Sequence, residues 1–204
     1  MLKQVMGTMS EEKLASFVER VISLKTLTDA VLSECLKNAP ELKQEQTSAF
    51  KRMLNYENNG DRNAQLLAIY INWQLRRKDE DMMLERNRGV VLSLFRSLDS
   101  TDFFEKTYLR NLARRLLSKE GYDLEQEKKM VATLKPECGE NFQSQTELMF
   151  TSTTESEAFT EAFLATTPAN KLPFTNFSIK VIEAKTWPID TRPQESASAD
   201  EQQD

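Results

Sequence analysis

Apolar residues recur at spacings of three and four along most of this chain, which predicts helices, and the period shortens to two only near residue 177. Ser10 stands before Glu11 and Glu12 as a helix start, and Leu14, Phe17, Val18, Val21, Leu24, Leu27, Val31 and Leu32 follow at helical intervals. That helix is expected to end near Asn38-Ala39-Pro40, and Ala49, Phe50, Met53 and Leu54 mark a second, stopped by Asn58-Asn59-Gly60-Asp61. A third, around Gln65 to Arg77, places Leu66, Ile69, Tyr70 and Trp73 on one side. The fourth, from Asp81 to Leu98, carries Met83, Val90, Val91, Leu94 and Phe95.

After the turn Asp99-Ser100-Thr101-Asp102 a fifth helix buries Tyr108, Leu109, Leu112 and Leu116, while Lys106, Arg110 and Arg114 recur every four residues on a solvated face. Asp123 with Gln126 resembles a capping box that opens helix six toward Leu134, where Pro136 is expected to end it. Ser144 with Glu147 repeats the start signal, and Ala158, Phe159, Ala162 and Phe163 suggest a further helix that stops before Pro168. The alternation Phe177-Ser178-Ile179-Lys180-Val181-Ile182-Glu183, followed by Trp187-Pro188, reads as a strand. A single strand cannot satisfy its own edges, so this one needs a partner or the rest of a sheet. The fold class expected is mainly α, an antiparallel helical repeat or bundle with one or two short C-terminal β-strands and a disordered acidic tail.

The tail follows from composition. The last twelve residues, PQESASADEQQD, hold four acids (Glu195, Asp200, Glu201, Asp204) and no base, leaving 27 basic and 28 acidic residues in the rest of the chain. With no aromatic or β-branched side chain, this segment cannot offset the entropy of ordering it. The near-neutral body argues against nucleic acid as a partner, so Arg110, Arg114 and Arg115 are read as a solvated helix face and Phe103 and Phe104 as core anchors. No apolar run reaches the roughly 20 residues of a membrane span, and the first residues lack a secretory leader pattern. A cytoplasmic or nuclear chain is expected.

The absence of histidine among 204 residues excludes nucleophile activation by imidazole and most catalytic zinc sites. Five glycines, no two closer than 18 residues, exclude a phosphate-cradling loop. Cys35 and Cys138 lack companions and read as reduced structural thiols, while Glu125, Glu127 and Glu137 read as ordinary acids of polar helix faces. No catalytic residue, metal site or cofactor is expected.

Phe104 to Leu117, FEKTYLRNLARRLL, precedes Leu134-Lys135-Pro136-Glu137-Cys138-Gly139, and the two stand in an ordered series. The series runs AFKRMLNYENN from Ala49, then LLAIYINWQLRRK, VVLSLFRSLDSTDFFEKTYLRNLARRLL, EKKMVATLKPECGENF, ELMF and finally FSIKVIEAKTWP. Over about three quarters of the chain this resembles the cullin family, with LAxRLL and LKxECGxxF at that separation and a terminal WP as the specific marks. Thr107, Pro136 and Lys185 depart from the family pattern; Lys185 stands where a glycine is usual before Trp-Pro.

The resemblance implies a non-catalytic scaffold fragment of ubiquitin-protein ligation: residues 1–78 the end of the last helical repeat, 79–173 a helical bundle, 174–191 the start of an α/β region and 192–204 the tail. It implies a RING-finger protein as partner through the C-terminal strand, with Phe177, Ile179, Val181 and Trp187 as the candidate interface. The adaptor-binding repeat and the lysine motif that accepts a ubiquitin-like modifier have no counterpart here. Three alternatives stay open: a truncated cullin-like protein that binds unproductively or is inactive, a helical adaptor unrelated to ubiquitin, and a histidine-free enzyme.

Overall fold

The computed structural model describes residues 10–77, 81–118, 122–166 and 177–188, without the side chains of residues 58 and 81–85. Among them are seven α-helices: α1 Glu11–Glu34, α2 Pro40–Leu54, α3 Gly60–Arg76, α4 Asp81–Arg96, α5 Thr101–Leu116, α6 Leu124–Leu134 and α7 Glu140–Thr166, with a 3-10 turn at Tyr56–Asn58. The first nine residues and the expected acidic tail lie outside the described residues, as does the side chain of Met83.

Helix α1 ends earlier than its sequence suggests. Lys37 and Asn38 take φ of 49° and 55°, and the Asn38 amide donates back to the Leu32 carbonyl at 2.8 Å, so the chain reverses through left-handed residues. Pro40 then opens α2, where its missing N–H costs nothing. Helix α2 is longer than its apolar residues announce because only Phe50 and Leu54 are buried. Its first turns are held instead by polar contacts: Gln46 Nε2 donates to Thr28 Oγ1 at 2.8 Å and to Asp29 Oδ1 at 2.9 Å, beside the Lys25–Asp29 ion pair.

Helix α3 is the central element, packed against α1, α4 and α5. Its apolar side is wider than the expected stripe: Ala64, Leu67, Ala68 and Ile71 join Leu66 and Tyr70 in the core, and Ile69 and Trp73 are half-buried against it. The turn before it needs its glycine, since a Cβ on Gly60 would lie 2.8 Å from Asn55 Oδ1. That oxygen accepts the Asp99 amide at 3.1 Å while Asn55 Nδ2 donates to the Ser97 carbonyl at 2.9 Å, tying the end of α2 to the α4–α5 turn.

Helix α5 buries Tyr108, Leu109, Leu112 and Leu116 as expected, together with Phe104. Phe103 is not a core anchor; it is exposed, with Lys106 Nζ 5.9 Å from its ring centre. An aromatic chain crosses the core, Phe95 to Phe104 at 4.7 Å edge-on, Phe104 to Tyr108 at 5.8 Å stacked, and Tyr108 to Phe142 at 5.7 Å, joining α4, α5 and α7.

Arg115 corrects another expectation. It lies in the core rather than on the solvated face: its Nε and Nη2 donate to the two carboxylate oxygens of Glu127 at 2.5 and 2.8 Å, and Nη1 donates to Asn72 Oδ1 at 2.7 Å. Arg115 is 5% exposed and Glu127 2%, so Glu127 is no surface acid either. Burial works against the charge on Arg115, but the hydrogen bonds and charge of Glu127 outweigh it and leave the guanidinium above its ordinary pKa.

Asp123 caps α6 by accepting the Glu125 and Gln126 amides at 2.9 and 3.1 Å, and the helix stops at Leu134, before Pro136, as expected. The two helices expected beyond it are one. Helix α7 runs 27 residues through Ser144, and its Ser/Thr hydroxyls return to the carbonyl four residues back, as from Thr153 to Met149 at 2.9 Å. Such residues favour turns and caps by themselves, which is why the sequence looks interrupted where packing holds a helix.

The expected strand is not formed among the described residues; 177–183 is extended without a ladder. One hydrophobic core joins Leu14 at one end to Trp187 at the other and runs without a break past residue 78, where the first expected boundary falls.

Replacing one member of the buried pair strands the other in the core, so Arg115→Met should cost about 3–5 kcal/mol. Arg115→Met with Glu127→Leu should recover most of that loss, read as the midpoint of urea unfolding followed by circular dichroism. A double variant no more stable than the single one would show that the pair does not act as a unit.

Candidate partner-docking surface

Three of the four residues singled out in the C-terminal segment, Phe177, Ile179 and Val181, share one strap that runs antiparallel to α7, and Trp187 follows it in a turn. The Phe177 ring lies 5.1 Å from that of Phe163, tilted by 39°, Ile179 N donates to Thr160 Oγ1 at 3.0 Å, Val181 N donates to Ser156 Oγ at 2.9 Å, and Gln145 Nε2 donates to the Thr186 carbonyl at 2.6 Å. Each of the two hydroxyls has a single proton, and the shorter contacts give it to the helix carbonyls of Ser152 and Ser156, at 2.6 and 2.8 Å. The oxygens are thereby aimed at the strap's N–H groups. Side-chain hydroxyls of a helix thus do the work that a neighbouring strand would do in a sheet, which is why no ladder is needed.

Alternation of the extended backbone decides what faces outward. The groups of Ile179 and Val181 point to α7, so those of Ser178, Lys180 and Ile182 point the other way, and they make no hydrogen bond among the described residues. The result is one pinned edge and one open edge. Val181 is 55% exposed, while Ile182 packs on the core. Lys180 Nζ reaches Glu157 Oε1 of α7 at 3.5 Å and lies 5.6 Å from the centre of the Tyr122 ring, in the segment before α6.

Trp187 has a different role from its neighbours. It is 3% exposed, sealed in the core by a turn in which the Thr186 and Trp187 amides donate to the Glu183 carbonyl at 3.0 and 3.2 Å. Its indole N–H is buried without a partner among the described residues. Lys185, in this turn, is exposed and is not among the described non-glycine residues with positive φ, which are Lys37, Asn38 and Glu57. A lysine is accommodated there because the turn makes no left-handed demand.

The signature stretch itself is an internal joint. Arg96 Nη2 donates to Glu137 Oε1 at 2.6 Å, and this hydrogen bond holds the Glu137 carboxyl below its ordinary range. Cys138 is buried beneath it, and burial, followed by the neighbouring Glu105 carboxylate, pushes its thiol up to about 12. A thiol so held is a poor nucleophile. Cys35, by contrast, is exposed rather than buried. Among the described residues no helix is long and apolar enough to cross a membrane.

Residues 2–160 match the family model described as the cullin alpha solenoid domain. This chain belongs to the cullin family. It is 27% identical to Cullin-4 of Dictyostelium discoideum over 184 residues, which cover 88% of this chain and 22% of that protein. To Cullin-3B of Arabidopsis thaliana it is 30% identical over 142 residues, covering 66% of this chain and 18% of the relative, and to human Cullin-4A 31% identical over 142 residues, covering 68% and 18%. The chain therefore spans about a fifth of the length of the cullins it matches. The match to the family model ends at residue 160, before the strap begins.

The alternation and the Trp-Pro end pointed to this segment as a strand, which the described residues do not form. Sequence reasoning missed Ser156 and Thr160, because hydroxyls on a helix carry no sign of the segment they will bind until the two are brought together.

Two outcomes check this site. Ser156→Ala with Thr160→Val should remove two acceptors and raise amide exchange at Ile179 and Val181 at least tenfold while leaving α5 protected, each lost partner costing about 1–3 kcal/mol. In iodoacetamide at pH 8, Cys35 should be alkylated and Cys138 spared until denaturant is added, because about one Cys138 thiol in ten thousand is ionised there. Peptide mass spectrometry separates the two sites.

Proposed function

We propose that this chain is a non-catalytic scaffold segment that positions components of ubiquitin-protein ligation in the cytoplasm or nucleus. The observation that carries the reading is the family match over residues 2–160, joined to a continuous core that gives the segment rigidity. Holding two partners at fixed separation raises their effective concentration without chemistry. In this reading 1–78 close a helical repeat, 79–173 form the bundle, and 174–191 open the region where a RING-finger partner docks.

The strap supports that last step by its open edge. A partner strand added to Ser178, Lys180 and Ile182 would pair their outward groups, and the exposed Val181 would sit beside it. Trp187 acts here as the anchor that holds the strap on the bundle rather than as a contact.

Co-purification with a RING-finger protein tests the reading. The complex is expected to form, to be lost on deleting residues 174–192, and to weaken at least tenfold in Lys180→Pro, which removes one outward N–H while helicity stays unchanged. A folded chain that captures no RING-finger protein would overturn the scaffold reading; a complex indifferent to Lys180→Pro would place the interface elsewhere.

A further inference from the structure

Helix α7 runs on past the core that buries it. Its buried residues are Phe142, Thr146, Met149, Thr153 and Ser156, and none of those that follow, 157–166, is buried. That stretch is shorter than the roughly 12–15 residues an isolated helix needs to be even marginally stable in water. Its last turn also holds no basic residue to meet the negative end of the helix dipole. Among the described residues, the hydrogen bonds and ring contacts that 158–166 make outside α7 all go to the strap.

The strap has the same need. Ile182 packs on the core and Trp187 is sealed in it, but none of residues 177–181 is buried, and a lone extended segment cannot satisfy its own edges. The two repeats fit each other. Hydroxyls four residues apart on a helix stand about 6 Å apart along its axis, and inward N–H groups two residues apart on an extended chain stand about 6.6 Å apart. Val181 therefore meets Ser156 at 2.9 Å while Ile179 meets Thr160 at 3.0 Å, and one turn on the Phe177 ring comes 5.1 Å from that of Phe163.

We infer that 157–166 and 177–181 form one cooperative unit, which opens and closes as a whole while the core stays folded. Each segment supplies the partners that the other lacks, and they leave the core together, α7 after Ser156 and the strap before Ile182. Such a unit is a two-state element of low local stability. What draws the strap off α7 unwinds the helix end, and what holds the strap protects a helix end that it does not touch. The unit stands whether or not a RING-finger protein docks on the strap.

Native-state amide exchange of the full chain, read by NMR, tests it. Ala162→Gly weakens the helix at an exposed position whose side chain cannot bond the strap, and it should speed exchange at Ile179 and Val181 about fivefold. Val181→Pro removes one inward N–H and changes nothing on α7, and it should speed exchange across 158–166 about tenfold. Ser178→Pro, whose N–H points outward, should leave 158–166 as it was, and α5 should stay protected throughout. Because Ala162 is exposed, its variant carries the test if a proline variant fails to fold. In Ala162→Gly, a strap that does not respond, or an α5 that does, overturns the inference. So does a helix end that ignores Val181→Pro or answers equally to Ser178→Pro.

Discussion

The bidentate pair between Arg115 and Glu127 is the contact on which the remaining geometry hangs. It joins α5 to α6 inside the core, and the third guanidinium arm reaches Asn72 on α3, so three helices share one charge cluster. Taking both ions out of water offsets most of their attraction, so the cluster is better understood as specifying how the helices dock than as adding stability. A rotation or slide of α6 would leave an unpaired ion in the core, which apolar contacts alone would not penalise so sharply. The guanidinium also lies 5.7 Å from the centre of the Tyr108 ring, in the middle of the aromatic chain that continues to α4 and α7.

From that joint the molecule extends in two directions with different physics. Toward the N-terminal end, α1 packs on α3 and a small polar clip around Lys25 and Gln46 ties α2 to α1, leaving much of both helices exposed. Toward the C-terminal end, α7 offers hydroxyls rather than an apolar groove, and it holds an extended segment by backbone hydrogen bonds. The chain belongs to the cullin family and covers about a fifth of its relatives' length.

Period and turn chemistry were sufficient for the helices whose two sides differ. The buried face of α5, the Asp123 cap and the stop before Pro136 all depend on local rules, so they were legible. So was the family, because LAxRLL and LKxECGxxF keep their separation along the chain. The alternation of 177–183 announced a strand, and no strand forms there among the described residues; the segment is held by hydroxyls of α7, and an acceptor on a helix bears no mark of the strap it will receive.

Tertiary structure alone decided the rest. Arg114 and Arg115 are adjacent and chemically identical, yet one is exposed and the other buried, because a 100° step around α5 turns Arg115 toward Glu127 and Asn72. The same holds for Phe103 and Phe104. In α1, eight apolar residues read as one stripe, and only the placement of α2, α3 and α4 showed which of them the core takes and which it leaves outside. Sequence determines that a helix has apolar residues to bury; the neighbours available in space determine which of them are buried.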